Sequence, residues 1–377
     1  MLRSPGYSER IQRIDPRTGI RVIQITSYPT PSTTLRYEWP IVTPDNGRVF
    51  LMCQREARRG APWDVFRCDA DGLFLFQLTE RDQGKHPPVF DKQNAPVSIL
   101  TLDGKTLYVL WNGDPHVYAV DAVTGATEPV ASLERVCLPG ALYQHTRLSI
   151  SGDRLFVVFR KPGIGAARVD LRTGEATELR LNGLLWACHT REPRLIIWRK
   201  TDAGGAALPD YVSFVRGAGQ PAFWTVDEDG SDERFLSIDP FSHGAILGTT
   251  GLLQGCGMPP DRCLWLVEEG MPPRRIADGP YFWHSGASFD GEWVLTDTNW
   301  PEVGLQLIHV PTGHFRTLCQ PHTGEVHSHP ALSHDGRVAL FSAGSTEISQ
   351  VHVAHITDEF RESVIAGELD NPRDKWL

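Results

Sequence analysis

Histidines that open predicted strands are the residues of this chain best suited to chemistry. His327 and His329 are separated by one residue, Ser328, and residues i and i+2 of an extended strand point to the same side. His284 opens the similar stretch HSGASFDG. Three converging imidazoles with an open position suit a divalent transition metal such as Mn, Fe, Ni or Zn better than Ca or Mg. We therefore predict a metal site formed by His284, His327 and His329.

Other histidines recur at the same point of the sequence pattern. The chain has 14 histidines among 377 residues, so their repetition at one position is unlike chance. We predict that His243 lies next to the metal without having to be a ligand. His145 and His189 are predicted to contact substrate in the same funnel. The alternative for each histidine is a buried side chain that bonds to a neighbouring backbone.

Two recurring patterns predict the elements that position these residues. One is a pair of apolar stretches around an acidic turn with Gly, as in VYAVDAVTGATEPVA from Val117. The other is a small or apolar stretch, an Asp-Gly or Gly-Asp turn and a second apolar stretch, as in HSHPALSHDGRVALFS. Such alternation about turns is typical of β-hairpins. Two hairpins per repeat predict the four strands of a β-propeller blade.

Seven such repeats can be counted. They open near Trp39, His86, His145, His189, His243, His284 and His329. The last repeat lacks a clear fourth strand, and the N-terminal IRVIQIT has no repeat of its own. We therefore predict an all-β, seven-bladed β-propeller of four-stranded antiparallel blades, in which an N-terminal strand completes the last blade and removes an open edge. One propeller domain is expected to span residues 1–377.

Composition and charge exclude several classes of protein. The 37 basic and 46 acidic residues leave a net charge of −9, which provides no basic excess for a nucleic-acid partner. No stretch approaches the roughly 20 apolar residues of a membrane helix, and the N-terminus has no secretory h-region. The seven cysteines include no CxxC pair, which argues against a disulfide framework or zinc-thiolate site. A cytoplasmic protein is expected.

The histidine segments resemble a known family, the oligogalacturonate lyases. The similarity runs over most of the chain, from DPRTGIRVIQIT through WTVDEDGSDERF, and is most specific at WHSGASFDG and VHSHPALSHDG. This resemblance implies an intracellular seven-bladed propeller that binds Mn through histidines of a central funnel. By position, His284, His327 and His329 are similar to the metal-binding histidines of the family. His243 is similar to its catalytic base.

Two positions depart from the family pattern. Gly324 stands where the family has a metal-binding Gln, and Gln320, His322, Glu325 or water could fill that place. Ala222 stands where the family has a functional Arg.

The resemblance implies cleavage of a uronic-acid glycosidic bond by β-elimination. A metal bound to the substrate carboxylate offsets the charge that develops when the α-proton leaves, and a neutral imidazole removes that proton. Cationic side chains must hold the other carboxylates, and Arg199 and Arg216 are candidates. Arg216 and Tyr211 lie in the long connection from Lys200 to Gln220, whose length is typical of a binding loop. The expected partner is therefore a small acidic oligosaccharide.

Two other functions are open from the sequence. One is a non-catalytic propeller that binds a partner and uses its histidines structurally. The other is a metal-dependent hydrolase or isomerase that acts on another sugar with the same histidines. Stoichiometric metal in the purified protein would separate the first of these from an enzyme.

Overall fold

The structure of the chain is a computed structural model. The structure describes residues 7–57, 60–80, 95–137, 139–160, 164–179, 181, 184–189, 194–201, 220–241, 243–258, 260–298, 303–321, 327–344 and 348–367.

The described strands form seven antiparallel sheets, and six of these sheets follow the chain as a meander. The first hairpin comprises β1 (Ile11–Ile14) and β2 (Arg21–Gln24). The first blade comprises β3 (Ser32–Thr34), β4 (Arg48–Cys53), β5 (Asp64–Asp69) and β6 (Phe76–Gln77). The second comprises β7 (Val97–Leu100), β8 (Thr106–Leu110), β9 (His116–Asp121) and β10 (Thr127–Ser132). The third comprises β11 (Leu142–Leu148), β12 (Arg154–Arg160), β13 (Ile164–Asp170) and β14 (Ala176–Leu179).

The remaining blades repeat this arrangement. The fourth comprises β15 (Leu184–His189), β16 (Arg194–Thr201), β17 (Gln220–Asp227) and β18 (Arg234–Ile238). The fifth comprises β19 (His243–Ile246), β20 (Leu253–Cys256), β21 (Cys263–Val267) and β22 (Arg274–Asp278). The sixth comprises β23 (Phe282–Ala287), β24 (Trp293–Thr298), β25 (Leu305–His309) and β26 (His314–Cys319). The seventh has β27 (Ala331–Leu332), β28 (Val338–Ala343) and β29 (Gln350–His355). The predicted seven-bladed β-propeller is confirmed.

The N-terminal hairpin completes the last blade, as predicted. Strand β2 pairs with β29, with Val22 opposite Ala354, and β1 adds a fifth strand outside β2. The sheet edge that β29 would otherwise expose is thereby covered.

Acidic turns with Gly close the outer hairpins. Asp121 accepts hydrogen bonds from the backbone N–H groups of Val123 and Thr124 at 3.0 and 2.6 Å. Gly125 then adopts a φ of +69°, a left-handed conformation that Gly reaches without steric cost. The carboxylate and the glycine therefore determine where β9 ends and β10 begins.

Within the described residues, an α-helix, α1 (Asp358–Ile365), follows the last strand. Thr357 caps it by accepting a hydrogen bond from the N–H of Phe360, as expected of a threonine N-cap. Phe360 and Val364 are buried, and the Arg361 guanidinium lies over the Trp293 ring of β24. The sequence analysis did not predict this helix, because eight residues contain too few turns to show a clear periodicity.

The chain divides into two compact units. One comprises Met1–Glu80, Pro240–Leu266 and Arg274–Leu377, and the other comprises Arg81–Asp239 and Val267–Pro273. The core of the first unit includes Trp293, Leu307, Phe341 and Ala354, and the core of the second includes Phe156, Leu195 and Val226. The six cysteines whose side chains are described are free and buried. In the described ranges, no helix has the length and apolar character needed to cross a membrane.

Candidate metal centre

Three of the predicted histidines converge within the first unit. One ring nitrogen from each of His284, His327 and His329 lies within 4.8 Å of the others, so the group could hold a metal ion. The centroid of the His284 ring lies 4.1 Å from that of His329 and 5.3 Å from that of His327. His284 is buried, whereas His327 is exposed. The cluster therefore has a closed side and an open side, as a site that receives a substrate requires.

Asp297, at the end of β24, fixes the orientation of His284. The ring Nδ1 of His284 lies 3.0 Å from Asp297 Oδ2, and its backbone N–H donates to Oδ1 at 2.7 Å. Since a carboxylate accepts, Nδ1 carries the proton and Nε2 keeps its lone pair for a metal. Burial alone would raise the pKa of Asp297, but the hydrogen bonds and charge of His284 outweigh it, and the pKa is lowered. The donor set fits a divalent cation.

Asp297 also shapes the loop that carries the other two histidines. Its Oδ2 accepts the backbone N–H groups of Ser328 and His329 at 3.1 and 3.2 Å. His329 adopts a φ of +42°, which is costly for a residue other than Gly. The expectation that His327 and His329 project from an extended strand is therefore wrong, because β27 begins only at Ala331. Their rings still lie 6.0 Å apart between centroids.

Tyr37 packs against two of the clustered histidines. Its ring stacks on His329 at 5.5 Å between centroids and meets His284 edge-on at 5.2 Å. The sequence analysis placed the opening of the first blade near Trp39. Instead, the inner strand β3 ends at Thr34, and pairing resumes where Val42 bridges Val49.

Pro40 lies in this interruption and cannot donate a backbone hydrogen bond, which favours a loop there. The loop also places Arg36 and Glu38 near the cluster. These two side chains form an ion pair at 3.9 Å, with 13% and 10% of each exposed. Burial lowers the pKa of His243 and His329, and the nearby Glu38 carboxylate opposes part of that lowering.

Gly286 allows the loop of Tyr37 and the loop of His329 to approach β23. A Cβ at this position would lie 2.6 Å from the carbonyl oxygens of both Tyr37 and Pro330. These oxygens belong to backbone, so they cannot rotate away. A glycine at position 286 is therefore required for the cluster to assemble.

His243 lies beside the cluster as the first residue of β19. Its ring centroid is 4.6 Å from that of His284 and 4.8 Å from that of Trp283. Burial, with the nearby His284 adding to it, lowers the pKa of His243 to about 4. The imidazole is therefore neutral at pH 7 and able to accept a proton. Its position as a base beside the metal stays a prediction.

The residues predicted to bind substrate lie in the second unit. His145 lies within β11 and is partly buried. His189 ends β15, so its expected position at the start of an inner strand is wrong. The apolar run LLWACH forms that strand instead. Arg199 is 1% exposed, pairs with Glu233 at 2.9 Å and lies over the Trp224 ring, contacts that favour a structural role.

Several predicted positions lie outside the described residues: Tyr211, Arg216, His322, Gly324 and Glu325. Ala222 is described, and it pairs with Arg199 across β16 and β17. Gln320, at the end of β26, donates its backbone N–H to Asp15.

Comparison with solved structures supports the predicted fold. An oligogalacturonate lyase in complex with manganese has a TM-score of 0.72 at 17% identity, over 95% of this chain and 99% of that one. An oligogalacturonate lyase from Vibrio parahaemolyticus has a TM-score of 0.73 at 12% identity, over 96% and 100%. The β-propeller domain of the Trilobed protease from Pyrococcus furiosus has a TM-score of 0.53 at 10% identity, over 84% and 95%.

The chain is thus a seven-bladed β-propeller with a histidine cluster that could hold a metal. No model of a protein family and no curated protein sequence matches it. The structural resemblance to oligogalacturonate lyases is a likeness of fold, because propellers with unrelated functions share the architecture. Function must therefore be argued from the site.

Proposed function

We propose that the protein is a metal-dependent lyase that cleaves uronic-acid oligosaccharides, such as oligogalacturonates, by β-elimination. The observation that carries this proposal is the approach of His243, a neutral imidazole, to a three-histidine cluster whose ring His284 is oriented by Asp297. His243 and the three-histidine cluster are adjacent. Such a position is required if His243 is to remove a proton next to a metal-bound carboxylate. The likeness in fold to oligogalacturonate lyases supports it.

His284, His327 and His329 would hold the cation, for which Mn is our choice. When bound, a divalent cation would act as a Lewis acid toward the uronate carboxylate. His284 would bind through Nε2, since its Nδ1 donates to Asp297. The exposed ring of His327 would lie on the side from which substrate enters.

His243 would then take the proton α to the carboxylate. The C–H electron pair forms the new C=C bond, the C–O bond to the neighbouring sugar breaks, and the leaving oxygen takes a proton from solvent. A lowered pKa makes His243 a weak base but keeps it unprotonated at neutral pH.

Metal content and product chemistry together test the proposal. Purified protein should contain one transition metal per chain, and the triple variant His284→Ala, His327→Ala, His329→Ala should lose it while keeping the fold. With Mn present, uronate oligosaccharides should give the conjugated chromophore of an unsaturated uronate. Reducing ends without that chromophore would show hydrolysis, and metal-free, inactive wild-type protein would show a non-catalytic propeller.

A further inference from the structure

An aromatic strip extends from the candidate metal centre. We define it by three side chains: Trp283, Tyr281 and Met258. The Trp283 ring meets the His243 ring at 4.8 Å and the His327 ring at 6.4 Å between centroids. Tyr281 meets Trp283 at 5.5 Å, and its hydroxyl donates to the Met258 Sδ at 3.4 Å. The strip therefore begins at the proposed base and leads away from it.

The strip does not serve the core of the sixth blade. Phe282, between the two aromatic residues, is fully buried against Phe315. Tyr281 and Trp283 point to the other side and keep part of their surface in solvent, and Met258 is 46% exposed. Apolar side chains that stay accessible beside a polar centre are typical of a ligand site.

We propose that the aromatic strip is a binding subsite for the sugar ring next to the one whose carboxylate lies at the metal. A pyranose ring has apolar faces of C–H groups and a polar rim. The C–H groups carry partial positive charge and are attracted to the negative face of an aromatic ring. This inference rests on the proposed function, and it defines the substrate as an oligosaccharide held on both sides of the scissile bond.

A variant of Tyr281 can distinguish a sugar subsite from a purely structural role of Trp283. Trp283 contacts His243 directly, so its loss would also disturb the proposed base. Within the described residues, the ring contact of Tyr281 is with Trp283. A change at Tyr281 should therefore alter substrate binding more than the chemical step.

The test is steady-state kinetics of the Mn-loaded full chain on the dimer, trimer and tetramer of galacturonate. Tyr281→Ala should raise KM for the dimer, the trimer and the tetramer by roughly 2- to 10-fold, the range of one aromatic stacking contact, because each of them places a sugar ring next to the one at the metal. Trp283→Ala should raise KM at every length, and Trp283→Phe should recover part of the loss. Met271→Ala is the matched control for Met258→Ala, because Met271 is also an exposed methionine, at 59%.

Four outcomes would overturn the proposal in whole or in part. A Tyr281→Ala variant with unchanged KM at all lengths, or with a loss confined to kcat, would refute a sugar subsite. Equal effects of Met258→Ala and Met271→Ala would remove Met258 from the strip. Wild-type protein that neither binds nor cleaves any of the three substrates would refute the proposed function itself. Metal content and melting temperature of every variant show that the fold and the cluster are intact.

Discussion

Asp297 accepts two hydrogen bonds from His284, one from its backbone N–H at 2.7 Å and one from its ring at 3.0 Å. The same carboxylate also accepts the N–H groups of Ser328 and His329. The buried side chain of Asp297 therefore fixes the orientation of the ring that would face the metal. It also fixes the conformation of the loop that carries the other two histidines.

Replacing this carboxylate should weaken metal binding. In Asp297→Asn, the amide can satisfy only some of the four donors, and His284 loses the partner that fixes its tautomer. We expect metal affinity to fall roughly 10- to 100-fold, the usual effect of losing such a partner, as measured by competition with a chelator. Asp121→Asn, in an exposed turn, is the control and should bind metal like the wild type. Equal affinities in all three proteins would contradict this role.

A methyl group at Gly286 should damage the cluster without touching a histidine. In Gly286→Ala, the Cβ would lie 2.6 Å from the carbonyl oxygens of Tyr37 and Pro330, so both loops must shift. We expect metal affinity to fall together with the melting temperature. The control is Gly47→Ala, whose Cβ would meet only the flexible side chain of Asp45. Metal affinity like that of the wild type in Gly286→Ala would show that the loops can adjust.

His243→Ala should separate chemistry from metal binding. The three cluster histidines remain, so metal content should stay at the wild-type level. Turnover should fall about 10²–10⁴-fold, the contribution of a positioned general base. His309→Ala, at the end of β25, should keep turnover. If His243→Ala loses the metal, His243 is a ligand, and if only its melting temperature falls, His243 is a packing residue.

His355 should make the fold sensitive to acid. Burial lowers its pKa, Arg21 adds to this, and its Nε2 lies 3.1 Å from the Ala70 carbonyl oxygen. The unfolded chain binds a proton at this histidine more tightly than the folded chain does. The contribution of neutral His355 to the free energy of unfolding is therefore fully present above the ordinary histidine pKa, and it is lost as the pH falls below that value. In His355→Gln, the melting temperature should therefore fall less between about pH 7.5 and pH 5.5, around the ordinary value of histidine. Chelator in the wild-type and the variant samples removes any effect of metal loss. Identical falls in melting temperature in the two proteins would refute the prediction.

The sequence predicted the site residues that occur at equivalent positions of several repeats. It did not predict site residues that occur at a single position. His284 and the His327–His329 pair stand out because they recur at the start of repeats, and the closing hairpin stands out because it lacks a repeat of its own. Asp297 gave no such signal, because TDTN resembles any strand end. Its role follows from contacts with residues thirteen to thirty-two positions away.

Tyr37 was missed for a different reason. Its position depends on an interruption between β3 and Val42, whereas the sequence pattern predicted that the first blade opens near Trp39. The predicted position of His189 is wrong for a similar reason, because the apolar run before it was not identified as the inner strand. Local patterns predict which strands exist, whereas the packing of distant segments determines where each strand breaks.

The pairing of Val22 with Ala354 has a consequence for biosynthesis. Strand β2 leaves the ribosome early, and its partner β29 emerges only after all the other described strands. Until then, the sheet that begins just after His329 lacks its outer strands. Such distant pairing slows folding and leaves an edge open to wrong partners. The blade that begins just after His329 is therefore completed only when β29 is available to pair with β2.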